Sequence, residues 1–304
     1  MKTSIRFNNN GLKMADHPYL PVDIQPGEKR AAIAVSHQFG GVKEQTAGLY
    51  AQKLSERGFI ALAFGASHQG ESEGEPRLLE DPAARLEDIS SAVSYLSTHE
   101  QVDPQRIGAL GICASGGYVV KAAQTERRIR AVAAISAVDI GLFFREGLGG
   151  GGSTEALKQL LEQVGRERTL EAQGGAPRYD PILPHTPADV SASTPSLYAE
   201  GTDYYRTARA QHPNSPNRYL FRSIDRITAY SSFDHVERIA PHPLLLIAGS
   251  RADTRYFSQL AYDRAQQPKE LLLLEGASHI DLYDREQYVA PSVAKLDAFF
   301  HTHL

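Results

Sequence analysis

Arg106-Ile-Gly-Ala-Leu-Gly-Ile-Cys113-Ala-Ser-Gly-Gly-Tyr118 is the stretch on which the reading of this chain turns. Ile107 to Ile112 is a short apolar strand. The run stops at Cys113, passes through small residues, and becomes a helical pattern at Tyr118, Val119, Val120, Ala122 and Ala123. A strand that feeds a helix through Gly-x-nucleophile-x-small-Gly has the layout of a nucleophile elbow. The composition follows from sterics. A nucleophile on a sharp turn requires small residues two positions away on either side, here Gly111 and Ser115, so that strand and helix backbones can approach. The Ala114 N–H would then point from a helix N-terminus toward a reacting carbonyl, which favours an oxyanion and a thiolate alike. Two registers fit. Gly111-x-Cys113-x-Ser115 makes Cys113 the nucleophile, and a slip of two residues makes it Ser115. The end of the apolar run favours Cys113, which taken by itself would read as a buried core thiol.

Outward from the elbow, strands and helices alternate. Ser4 to Phe7 and the Asn10-Gly11 hairpin signal open the chain, and Pro18, Pro21 and Pro26 mark an irregular passage. Ala31–Ser36 is a buried strand ending at His37-Gln-Phe-Gly-Gly41, followed by a helix over 43–57 and a strand over Phe59–Phe64. Asp81-Pro82 starts a helix with an N-cap acid and proline in the first turn. Ile129–Val138 is a further strand. The rhythm resumes late, with strands at Pro243–Ala248 and Glu270–Leu274, a helix over 254–265, and a final amphipathic helix. This order predicts an α/β fold, a mostly parallel, doubly wound sheet covered on both faces. Residues 1–140 and 236–304 form the core. Residues 141–235, with the run Gly147–Gly152 as a flexible joint and several tyrosines, form an inserted cap over the sheet's carboxyl edge.

Cys113, Asp253 and His279 each follow a predicted strand, at the edge where open α/β sheets bind ligands, in the chain order nucleophile, acid, base. His279 would take the thiol proton, and Asp253 would orient the imidazole and stabilise its charged form. Asp139 is an alternative acid, and Asp253 could also serve only as a helix N-cap. The second oxyanion donor should come from the turn after Ala31–Ser36, from Phe39 or Gln38, with Ala114 as the first. Gln38, His68, Tyr204 and Tyr205 are candidate substrate contacts.

Composition narrows the function classes. With 304 residues, 41% hydrophobic, a net charge of −4 and no basic block, a large core is expected, and nucleic acid and membrane are disfavoured as partners. One cysteine excludes an internal disulfide and fits a reducing, cytoplasmic compartment. The N-terminus carries no apolar signal segment. No cofactor is expected, because no Gly-x-Gly-x-x-Gly follows the first strand. No metal is expected either, because no spacing supplies converging ligands.

The segments Gly40-Gly-Val-Lys-Glu-Gln-Thr46, Gly70-Glu-Ser-Glu-Gly-Glu-Pro-Arg77, Gly111-Ile-Cys-Ala-Ser-Gly-Gly-Tyr118, Asp203-Tyr-Tyr-Arg206, Ala248-Gly-Ser-Arg-Ala-Asp-Thr254 and Gly276-Ala-Ser-His-Ile-Asp-Leu-Tyr-Asp284 carry a resemblance. The chain resembles the dienelactone-hydrolase-like branch of the α/β-hydrolases and a group related to fungal polyketide thiohydrolases and acyltransferases. It departs at His37-Gln-Phe, where His-Pro-Gly is common, and at Gly65-Ala-Ser-His68, where an acidic residue and a tyrosine are expected. The expected activity is hydrolysis of a small-molecule ester, lactone or thioester through an acyl-enzyme. The alternatives are acyl transfer on the same triad, or ligand binding without catalysis on a hydrolase fold. A homodimer is compatible with the sequence.

Overall fold

The computed structural model describes residues 5–304. Strands β1 (Ile5–Asn9) and β2 (Leu12–Tyr19) form the expected hairpin, with Asn10 and Gly11 both at positive φ (46° and 88°), the geometry a two-residue turn demands. Ser4, read as the start of the first strand, lies outside the described residues. β2 extends through Pro18 rather than ending before it. On its other side it pairs antiparallel with a later strand, Pro18 lying opposite Leu62. Next come β3 (Arg30–Ser36), α1 (Thr46–Ser55), β4 (Ile60–Phe64), α2 (Pro82–Thr98), β5 (Val102–Ile112), α3 (Ala114–Ala122) and β6 (Ile129–Ile135). The first helix is shorter than its sequence pattern, because Lys43 is buried in ion pairs with Glu44 and Glu71 in the turn before it. β6 ends before the expected Val138, since Ser136 turns to φ 48°.

Between β6 and the next core strand lie α4 (Ile140–Glu146), α5 (Thr154–Ala172), β7 (Tyr179–Pro181), α6 (Ser196–Arg206), β8 (Arg218–Leu220) and α7 (Ser223–Thr228). β7 and β8 pair antiparallel as a small separate sheet. Asp139 caps α4 through the Leu142 N–H (3.0 Å), and Ser153 caps α5 through Ala156 (3.3 Å). The glycine run between them is a tight turn, closed by the Gly152 N–H on the Glu146 carbonyl at 2.8 Å.

The chain then returns to the core with β9 (Leu244–Gly249), α8 (Arg255–Arg264), β10 (Lys269–Leu274), α9 (Asp281–Asp284) and α10 (Glu286–His303). Among the described residues the main sheet has eight strands in the order β1-β2-β4-β3-β5-β6-β9-β10, parallel from β4 onward. One face packs on α2, α3 and α8 through Ile89, Val93, Val119 and Phe257, and the other on α1 and α10 through Tyr50, Leu54, Leu296 and Phe300. Register sets the functional edge. Ser36 pairs with Phe64 and Gly111, Ile112 with Ile135, and Leu274 with Gly249, so the carboxyl ends of the parallel strands finish together.

Candidate active site

β5 delivers Cys113 at φ 57°, ψ −119°, a conformation L-residues seldom hold, and α3 begins at the next residue. Glycine is obligatory two residues earlier: a Cβ on Gly111 would sit 2.0 Å from the Ser115 carbonyl oxygen. The Cys113 N–H donates to Ile135 O at 2.9 Å, and its carbonyl accepts from Gly116 and Val138, each at 2.9 Å. The Tyr283 hydroxyl and the backbone N–H groups of Ala114 and Phe39 act on the sulfur. Each favours a thiolate, yet burial outweighs them and pushes the thiol up from its ordinary value. Ser115, the other candidate nucleophile, is fully buried beneath the β3 loop. Its hydroxyl donates to His37 O at 2.5 Å and accepts from Ser36 Oγ at 2.9 Å.

His279 follows β10 and is 1% exposed. Thr254 Oγ1 meets its Nδ1 at 2.5 Å, and the Tyr283 hydroxyl meets its Nε2 at 3.1 Å. Burial pulls the imidazole down to about 4, opposed by the nearby negative charge of Asp253, so the ring is neutral at pH 7. The Asp253 carboxylate bonds elsewhere: Oδ2 accepts from Ser196 Oγ (3.1 Å) and the Leu197 N–H (3.0 Å) at the start of α6. It therefore acts on the imidazole through space, while Thr254 holds the ring. Asp139 serves its helix cap and also accepts from Ser232 N (2.9 Å) and Ser231 Oγ (3.2 Å).

The loop carrying Phe39 is fixed from below. Arg85 of α2 donates to His37 O at 3.1 Å and pairs with Glu80 at 3.0 Å, and Tyr118 of α3 donates to the same Glu80 oxygen at 2.8 Å. Both members of the pair are almost completely buried. His37 accepts from the Ala66 N–H at 3.0 Å, and burial plus the Arg85 charge hold it well below its ordinary value. This network ties the elbow helix to the Phe39 turn.

Above the sulfur lies a cavity of about 340 Å³. Cys113, Phe39, Tyr205 and Tyr283 line its lower part, and Phe144, Ile182, Leu183, Leu197 and Tyr219 cover it. Among the described residues no Lys, Arg, His, Asp or Glu side chain lines it. Of the candidate substrate contacts, Tyr205 reaches this cavity. Tyr204, the adjacent helical residue, points away to Thr46 Oγ1 at 2.9 Å. Gln38 is fully buried against Gly41, where a Cβ would meet its amide at 2.6 Å. His68 lies outside, because its left-handed backbone (φ 69°) turns the ring to the Pro76 carbonyl at 3.2 Å. Thr254, Tyr283, Arg85 and Glu80 went unnoticed in the sequence. Only Tyr283 left a trace, since its spacing of four from His279 allows the two rings to meet on one side of a turn.

Comparison with known proteins places this geometry in context. Residues 19–137 match the model of the Dienelactone hydrolase family. The chain is 41% identical over 298 residues to the uncharacterized protein YcjY of Escherichia coli (strain K12), covering 98% of this chain and 96% of that one. The crystal structure of hypothetical protein PA2218 from Pseudomonas aeruginosa superposes with a TM-score of 0.93 at 36% identity, covering 100% of this chain and 94% of that one. Thiohydrolase aneE of Aspergillus aculeatus is 32% identical over 52% of this chain and 46% of its own length. No helix among the described residues is long and apolar enough to cross a membrane.

Proposed function

The chain belongs to the dienelactone hydrolase family and is an α/β-hydrolase-type enzyme, and from that premise we propose that it hydrolyses uncharged esters, lactones or thioesters through an acyl-enzyme on Cys113. The observation that carries this reading is the strained Cys113 backbone, which presents the sulfur to the cavity beside the N–H groups of Phe39 and Ala114. The sulfur attacks the carbonyl carbon while its proton passes to His279. The developing oxyanion takes the two backbone N–H groups. Collapse expels the alcohol or thiol, which receives the proton from the imidazolium. Water then attacks the acyl carbon, gives a proton to His279, and releases the acid and the thiol. Asp253 supports the imidazolium by its charge, and Thr254 sets the ring's orientation.

The neutral, raised thiol and neutral imidazole of the resting site favour transfer during attack over a standing ion pair. The apolar lining favours an uncharged acyl group, because an unpaired carboxylate inside would be costly to desolvate. The thiohydrolase named among the relatives supports thioesters within this class. The test is incubation with a p-nitrophenyl ester, an acid quench, and peptide mass mapping. The expected result is an acyl group on Cys113, with nitrophenol release abolished in folded Cys113→Ala. An adduct on Ser115, or undiminished turnover by Cys113→Ala, would overturn the assignment.

A further inference from the structure

We propose that Tyr283 is a catalytic proton relay, so that His279 acts on the Cys113 thiol through the phenol oxygen. The proposal rests on the reading of Cys113 as nucleophile and His279 as base. Three observations carry it. Both imidazole nitrogens are engaged, Nδ1 with Thr254 and Nε2 with the Tyr283 hydroxyl at 3.1 Å. The same hydroxyl acts on the Cys113 sulfur, and the two side chains line one cavity. Tyr283 lines the cavity and His279 does not, so the phenol stands between the buried imidazole and the reacting atoms.

The phenol is held for this task. It is 2% exposed and packs edge-on against Tyr204, with ring centroids 5.2 Å apart and planes at 83°. The preceding residue is anchored by the Tyr50 hydroxyl, which donates to Leu282 O at 2.8 Å. The charged or titratable groups acting on the unit are Tyr204 and Tyr205 from α6, Arg85 from α2, and Asp253 beside the imidazole. Burial and the adjoining sulfur hold the phenol well above its ordinary range, which disfavours a free tyrosinate and favours concerted transfer.

The protons balance. With Nδ1–H donated to Thr254, Nε2 accepts the phenol proton as the phenol oxygen accepts the thiol proton. The products are a thiolate, a neutral phenol now donating to it, and an imidazolium. The sulfur lone pair then forms the bond to the carbonyl carbon. On collapse the imidazolium proton returns through the phenol to the leaving oxygen or sulfur. In deacylation the attacking water's proton takes the same path to Nε2, and the expelled thiolate is reprotonated by it.

Cys113 is the sole cysteine, so alkylation by iodoacetamide reads its reactivity without any knowledge of substrate. Rates are measured against pH for the wild-type chain, Tyr283→Phe, His279→Gln and the double variant, with circular dichroism confirming the fold. Each single variant should slow alkylation at neutral pH by about tenfold or more. Tyr283→Phe should shift the profile to higher pH, and the double variant should be no slower than the slower single one. The proposal is overturned if Tyr283→Phe keeps the wild-type profile, or if His279→Gln slows the Tyr283→Phe protein as strongly as it slows the wild type. Should Tyr283→Phe fail to fold, the wild-type acylation rate in H₂O–D₂O mixtures decides: two protons in flight give a curved dependence on deuterium fraction, and a straight line overturns the relay. An acyl adduct on Cys113 with additive variants sinks the relay alone. Non-additive variants with no ester adduct leave the relay standing and sink the reaction class.

Discussion

On the floor of the cavity, at the ends of β3, β5 and β10, side chains are held by buried hydrogen bonds. On its roof, between β6 and β9, they meet by apolar contact. The floor leaves almost no freedom: Arg85 and Glu80 pair out of water, Ser115 locks to His37, and His279 is engaged at both nitrogens. Breaking such a buried pair by removing one partner costs about 3–5 kcal/mol. The roof also carries partly exposed ion pairs such as Arg168–Asp225 (2.6 Å), worth about 1 kcal/mol or less. Its aromatic group of Phe144 and Tyr219 meets Phe39 edge-on at centroid distances of 6.2 and 5.6 Å. On the proposed function, the contrast would separate two tasks, reaction on a rigid polar floor and acyl selection under an apolar cover.

The largest expected effect is on the floor. His279→Gln should lower kcat for a p-nitrophenyl ester by about 10³-fold, with KM little changed, because the proton acceptor is lost and the cover is untouched. A comparable rise in KM would break the separation.

The same residue predicts a pH dependence of stability. His279 has its folded value pulled to about 4 from 6.5, so the unfolded chain takes up the proton first. The stability it contributes is present above about pH 6.5 and is lost as pH falls toward 4, up to about 3 kcal/mol. His37 shifts the same way. Urea unfolding of wild type and His279→Gln between pH 4 and 7.5 isolates the His279 share, and parallel curves would contradict it.

Next in size is a backbone pair that tests rigidity directly. Gly111→Ala places a Cβ 2.0 Å from the Ser115 carbonyl oxygen and should destabilise the protein by about 3 kcal/mol or prevent folding. On the roof, Gly165 in α5 has open space around it, and Gly165→Ala should stabilise by about 0.5–1 kcal/mol. Urea midpoints measure both, and equal effects would erase the distinction between floor and roof.

The smallest functional change belongs to the cover. Phe144→Ala should raise KM for aryl or long-chain acyl esters by about tenfold and leave acetyl esters and kcat nearly unaffected. A fall in kcat for every ester would mean that the roof positions the reacting atoms.

What the sequence determined by itself was local. The alternation of strands and helices, the hairpin at Asn10-Gly11, the cap at Asp81, and the glycine two residues before Cys113 each follow from backbone sterics and hydrogen bonding within a few residues. Through them the elbow, and the placement of Asp253 and His279 after strands, could be read. Tertiary structure alone decided which groups meet. Asp253 turns to Ser196 and Leu197 in a helix more than fifty residues away, and Thr254 takes the place at the imidazole. Tyr204 and Tyr205 are neighbours in sequence, yet helical geometry sends one to Thr46 and the other to the cavity. Arg85 and Glu80 are charged residues that a sequence pattern assigns to the surface, and their burial beneath the Phe39 loop comes from pairing across elements. Side-chain partners far apart in sequence leave no periodic signal, because their energy comes from contacts that exist only once the sheet has brought its strand ends to one edge.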